Sequence, residues 1–151
     1  MSLRARFMED LKAAMKAGQS GRVGTLRMVN ARLKDVDIGA RAKGGEVAED
    51  EIVSMLRGMI KSRTESAAMY RQGGRPELAE KEEAEIETIR GYLPAELDAA
   101  TLEAATREAI AELGAASMQD MGRVMAALKA RFGAALDAGR ASATVKTLLS
   151  A

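Results

Sequence analysis

The stretch "KSRTESAAMYRQGGRPELAEKEEAEIE", residues 61–87, is two helical patterns separated by a double glycine. Upstream of Gly73, the residues Ile52, Leu56, Met59, Ile60, Ala67 and Tyr70 recur at helical spacing, which predicts one long helix from about Glu49 to Gln72. Its acidic start, "EDE" at 49–51, suits the positive end of a helix dipole, although Ala48 before it is a poor N-cap. Gly73 and Gly74 break the pattern, and Pro76 fits the first turn of a second helix reaching about Gly91. Arg63 lies on the apolar face of the first helix, and Glu82 lies between Leu78 and Ile86 on the second. If the helices fold back across the glycines, residues whose numbers sum to about 147 face each other. Arg63 then meets Glu82 or Glu85, a structural ion pair that fixes register more than it adds stability.

The same periodicity extends outward in both directions. Leu3, Phe7, Leu11 and Met15 predict a first helix stopped at Gly18. Val23, Leu26, Val29, Leu33 and Val36 predict a second, followed by "GARAKGG" (39–45) as a flexible joint. After the hairpin, "YLPAELD" breaks the helical register at Pro94 and reads as a hinge over 93–97. Asp98 caps a helix on Leu102, Ala105, Ala109, Ile110 and Leu113, closed by Gly114. Ser117 with Asp120 resembles a capping box, opening a helix whose Met121, Val124, Met125, Leu128 and Phe132 form a packing stripe. Gly122 lies off that stripe, where it would permit close approach of a neighbouring backbone or ligand. A last short helix carries Val145, Leu148 and Leu149. No strand pattern competes. The expected fold is all-α, multihelical, in two small helical domains: about four helices over 1–93, then a three-helix tail domain over 94–151.

Composition narrows the function. The 151 residues contain no Cys and no His, which removes thiolate chemistry, the commonest neutral-pH base and the commonest metal ligand. No catalytic constellation emerges. The carboxylates at 77–87 crowd one helix, and neither "GG" pair has the context of a phosphate-binding loop. No metal or cofactor is expected, and the chain reads as non-catalytic. No apolar run is long enough for a membrane span and no secretory signal is visible, so a soluble, cytoplasmic protein without membrane association is expected. The net charge of +1 is unevenly spread: residues 1–45 hold ten Lys/Arg against four Asp/Glu, whereas residues 75–93 hold three against six. A basic N-terminal third attracts anionic partners.

Four segments carry a family resemblance: "TLRMVNARLKDVDI" (25–38), the hairpin at 61–87, "YLPAEL" (92–97) and "ASMQDMGRVMAALKARF" (116–132). In order and spacing they resemble the YqeY family along essentially the whole chain. The resemblance implies two helical domains. The C-terminal one is similar to the tail domain of the B subunit of the glutamine-dependent aspartyl/glutamyl-tRNA amidotransferase. It therefore implies a stand-alone relative of a tRNA-engaging tail, associated at family level with carbon–nitrogen ligase chemistry that uses glutamine as nitrogen donor. That chemistry belongs to other subunits and domains, for which 151 residues have no room. The loop that looks like "GRADG" in relatives reads "FGAALDAGRAS" here, with Ala134 in place of the basic residue, Asp137 retained and Arg140 supplying a cation nearby.

Three functions follow as expectations: binding of tRNA or another structured RNA, an accessory role beside an amidotransferase or other carbon–nitrogen ligase, and protein interaction through the acidic helix at 77–87 or the hinge. The candidate RNA contacts are Lys129, Arg131, Arg140 and Arg123 in the tail-like part, with Arg27 and Lys34 in the basic third. The only aromatic residues are Phe7, Tyr70, Tyr92 and Phe132, so recognition would rest on phosphates and shape rather than base stacking.

Overall fold

A computed structural model describes residues 1–150. Seven α-helices appear among them and no strand: α1 (Leu3–Lys16), α2 (Ser20–Ala42), α3 (Glu49–Gln72), α4 (Pro76–Arg90), α5 (Ala99–Leu113), α6 (Met121–Phe132) and α7 (Ala138–Ser150). The chain groups into two compact units, one from Met1 to Leu93 and one from Pro94 onward.

In the first unit, α3 and α4 form the hairpin implied by the double glycine. Gly74 adopts a left-handed φ of 73°, where a side chain would be strained. The Arg75 N–H then donates to the Tyr70 carbonyl at 2.8 Å, closing the turn. Helix α3 begins without a side-chain cap at Ala48, and its acidic first turn compensates. The Glu51 carboxylate accepts from the Ala48 N–H at 3.3 Å. The Glu49 carboxylate accepts from the Leu3 N–H at 3.1 and 3.2 Å, joining the start of α3 to the start of α1. Phe7, Leu26, Val29, Ile52, Leu56 and Ile89 fill the interior. Phe7 packs edge-on to Tyr92 with ring centroids 4.9 Å apart. Truncating Phe7 to Ala would cost about 3–5 kcal/mol.

Two local expectations are corrected here. Met15 is exposed, and Ala14 takes the buried position below Phe7. Near the α1–α2 turn a small side chain meets the core, while the longer one projects outward. The segment 39–42 is helical rather than a joint, because α2 continues to Ala42 and stops only at Gly44, with φ of 77°. Gly39 and Ala40 carry no side chain that opposes helix continuation.

In the second unit, Asp98 accepts from the Thr101 N–H at 2.7 Å and caps α5, which Gly114 terminates with φ of 61°. Ser117 accepts from the Gln119 N–H, and the Asp120 carboxylate accepts from the N–H groups of Ala116 and Ser117. A single 3-10 turn, Met118–Asp120, results and leads into α6. Leu102, Ala105, Val124, Leu128, Leu136, Val145 and Leu149 form the core, flanked by half-buried Met121, Met125 and Phe132. The α6 stripe therefore packs. Gly122 faces open space, so no neighbouring backbone makes a close approach there.

Candidate nucleic-acid interface

Arg63 is absorbed by the fold. Its Nε donates to Glu85 Oε2 at 2.9 Å and its Nη1 to the Met59 carbonyl at 3.2 Å, with both side chains of the ion pair only 14% exposed. Glu85 rather than Glu82 takes the contact, which sets the hairpin register at 148 instead of 147.

The acidic helix is likewise largely neutralised. Glu83 pairs with Arg71 at 2.7 Å, Glu77 with Arg75 at 2.6 Å and Glu87 with Arg90 at 2.6 Å. With Glu85 on Arg63, four of the six glutamates of α4 are paired, and Glu80 and Glu82 form no salt bridge among the described residues.

The tail-like unit treats its arginines in the same way. Arg123 pairs with Asp120 at 2.7 Å, Arg131 with Glu108 at 2.7 Å and Arg140 with Glu96 at 3.3 Å. Arg131 also lies over the Phe132 ring at 5.0 Å. Lys129 is the one candidate there with no carboxylate partner among the described residues.

The N-terminal candidates behave differently. Arg27 and Lys34 are exposed on α2 and form no ion pair among the described residues. Arg41 continues the row without a salt bridge. Residues seven apart rise about 10.5 Å along a helix and stay on nearly one edge, so the three cations line it over about 21 Å. Asp37, on the same side of α2, is held by Arg4 of α1 at 2.5 Å. That arginine keeps the Asp37 carboxyl below its ordinary value. Lys12 on α1 is also exposed and unpaired among the described residues. The periodicity of 27, 34 and 41 is visible in the sequence, but the reading of 39–45 as a joint took Arg41 out of the row.

Sequence reasoning also missed a part-buried polar cluster around the buried Tyr92. The Tyr92 hydroxyl donates to Asp10 Oδ2 at 2.5 Å, and Arg22 approaches both partners. Arg6 stacks over the Tyr92 ring at 4.9 Å and donates to the Gly91 carbonyl. Burial, reinforced by the Asp10 hydrogen bond, pushes the Tyr92 hydroxyl up to about 12. These contacts hold the end of the first unit against α1 and α2. No signal short of the tertiary fold brings residues 10, 22 and 92 together.

Among the described residues, no cluster of His, Cys, Asp and Glu has the proximity to hold a metal ion. No helix is long and apolar enough to cross a membrane. The surface carries exposed charged side chains on its helices. Residues 4–149 match the family model of Yqey-like protein, and the chain belongs to the YqeY family. It is 29% identical over 132 residues to "Altered inheritance of mitochondria protein 41, mitochondrial" of Pyrenophora tritici-repentis, covering 83% of this chain and 71% of that protein. It is 28% identical over 93 residues to an uncharacterized protein of Schizosaccharomyces pombe, covering 62% and 73%. The Clavispora lusitaniae protein, named as in Pyrenophora, is 36% identical over 84 residues, covering 56% of this chain and 47% of that protein.

Proposed function

We propose that this chain is a non-catalytic module that binds structured RNA, tRNA being the class implied by its likeness to an amidotransferase tail. The observation carrying this reading is the pair of exposed cations Arg27 and Lys34 on α2, which form no ion pair among the described residues, with Arg41 continuing their row beside Asp37. Binding to a polyanion gains free energy from releasing condensed counterions, and a free cation contributes fully to it. An arginine already held by a carboxylate must first give up a surface pair worth about 0–1 kcal/mol and leave the acid near the phosphate. The contact surface therefore lies on the N-terminal unit, while Lys129, Arg131, Arg140 and Arg123 serve at most as a secondary patch. The absence of exposed aromatic platforms fits phosphate contacts rather than base reading. An accessory role beside a glutamine-dependent carbon–nitrogen ligase is compatible with this binding act and asks no catalytic residue of the chain. Such RNA is present wherever translation runs, so the reading holds for the cytoplasm and for the organelle in the relatives' names.

Fluorescence anisotropy with labelled tRNA across a salt series tests it. The log–log plot should be linear, with a slope of roughly −0.7 to −0.9 per phosphate contact. Replacing Arg27 and Lys34 with Ala should flatten the slope by about two contacts, and replacing Lys129 and Arg131 by about one at most. No measurable affinity at low salt would reject the reading. Flattening by the second pair alone would return the contact surface to the tail-like unit.

A further inference from the structure

The outer side of the α1–α2 hairpin carries apolar residues as well as charge. Met8 and Met15 on α1 and Ile38 on α2 are 54%, 53% and 53% exposed, and what sets them apart is that they lie together on one face. Met8 and Met15 are seven apart, so they share one edge of α1, with Lys12 between them. Two contacts place that edge beside the cation row of α2. The Arg4–Asp37 pair joins the helices where Met8 lies one turn after Arg4 and Lys34 about one turn before Asp37. At the other end, Met15, Gly18, Ser20, Val23, Gly24 and Arg27 line one open depression. The surface is thus two antiparallel helices with methionines on one row and cations on the other, both at seven-residue spacing.

Charge alone explains neither the methionines nor Ile38. Phosphates attract cations, but flexible apolar side chains beside them gain little from a sugar–phosphate backbone. An apolar strip bordered by cations is complementary to a helix with an apolar strip bordered by carboxylates. Methionine suits such a surface because its unbranched, polarisable chain adapts to a partner's ridges. Two parallel ridges with a shallow valley between them also have the shape that receives a third helix. We propose that this face docks an amphipathic helix with an acidic border, supplied by a protein partner. The proposal goes beyond RNA binding but shares Arg27 and Lys34 with it, so helix and RNA are alternative occupants. The methionines separate the two.

The test uses the full chain and a synthetic peptide of about 15 residues, long enough to span the row. Its leucines are spaced i, i+3, i+4, i+7, with glutamates on both borders. Controls are a scrambled peptide of the same composition, phosphatidylserine vesicles, and the protein alone in sedimentation. The amphipathic peptide should bind, gain helicity and compete with tRNA. The double variant Met8→Ser, Met15→Ser should weaken it by about ten-fold or more per methionine, as loss of apolar burial requires. The salt slope for tRNA should stay unchanged in that variant. Circular dichroism checks that the variant keeps its helices, and Met69→Ser, at an exposed methionine of α3, should leave peptide binding intact. Equal binding of the scrambled peptide would overturn the proposal, since charge alone would then suffice. So would unchanged affinity in the methionine variant, binding of vesicles but not of peptide, or self-association abolished by the methionine changes. If tRNA fails to bind while the peptide binds as described, RNA binding falls and helix docking stands.

Discussion

Two sets of arginines and lysines, one on α2 and one around α6, have similar exposure and opposite surroundings. Around α6, Arg123, Arg131 and Arg140 each face a carboxylate of their own unit. On α2, Asp37 is taken by Arg4 and also feels the charge of Arg41, while Arg27 and Lys34 form no ion pair among the described residues. Counting charges by region separates the halves of the chain, but only pairing shows which cations remain available. A cation is a contact for a phosphate or an acidic partner in proportion to what it has not already neutralised.

The most forceful way to break that comparison is charge reversal. Arg27→Glu with Lys34→Glu should lower tRNA affinity at low salt by about a hundred-fold or more, since each replaced cation loses a charge-assisted contact and adds repulsion. Lys129→Glu with Arg131→Glu should have a clearly smaller effect. Equal losses in the two variants would show that pairing does not decide availability. The measurement is the anisotropy titration, with helicity confirmed by circular dichroism.

A second contrast concerns stability, between a secluded pair and an exposed one. Arg63 and Glu85 are each 14% exposed, whereas Arg131 and Glu108 are more than half exposed. Glu85→Ala leaves a guanidinium without its anion in a partly desolvated site and should destabilise the first unit by about 3 kcal/mol. Glu108→Ala should cost under about 1 kcal/mol. Both tyrosines, Tyr70 and Tyr92, lie in the first unit, so tyrosine fluorescence in a urea titration follows that unit selectively. A shift under about 1 kcal/mol for Glu85→Ala would mean that water screens the pair after all.

How far the sequence carries these contrasts depends on the range of the interaction. Helix α3 is legible from Glu49 to Gln72 because its start and stop signals are local: a run of acids and a double glycine. The pairing of Arg63 with an acid of α4 is legible because a short turn leaves little freedom of register, although not the choice of Glu85 over Glu82. Residues 39–42 are misread because glycine and alanine say little locally, while packing earlier in α2 and the stop at Gly44 decide the helix end. The Tyr92, Asp10 and Arg22 cluster and the pairs of Arg131 and Arg140 join residues many positions apart. For the same reason the availability of Arg27 and Lys34 could be suspected from charge excess but not read from it.

Tyr92 tests the polar cluster. Tyr92→Phe removes the hydroxyl that donates to Asp10 and should destabilise the first unit by about 1–2 kcal/mol. Its pH dependence has a definite sign. The hydroxyl is raised from 10.0 to about 12 by burial and by Asp10. Its contribution is therefore full below pH 10 and is lost as pH rises through about 12. The wild type should lose first-unit stability across that window, and Tyr92→Phe should lose less. Identical alkaline profiles would place the Tyr92 titration outside the folding equilibrium.

The smallest expected effect lies in the second unit, at the opposite end of the pH scale. Asp98 is held below its ordinary value of 3.8, chiefly by the Thr101 N–H it caps. Asp120 is lowered first by the Ala116 N–H and then by Arg123. A carboxylate depressed in the folded state stabilises it above the unfolded value and loses that contribution as pH falls through the folded one. Amide-exchange protection at Val124, Leu128 and Val145, the core of the second unit, should therefore decline below about pH 4. Asparagine also caps helix N-termini well but does not titrate. Asp98→Asn should thus leave protection near neutral pH almost unchanged and make its acid decline shallower, with the remaining slope due to Asp120. An acid profile identical to that of the wild type would assign the loss to other carboxylates. A large loss at neutral pH would show instead that the negative charge at the α5 N-terminus, not the cap hydrogen bond alone, holds the helix.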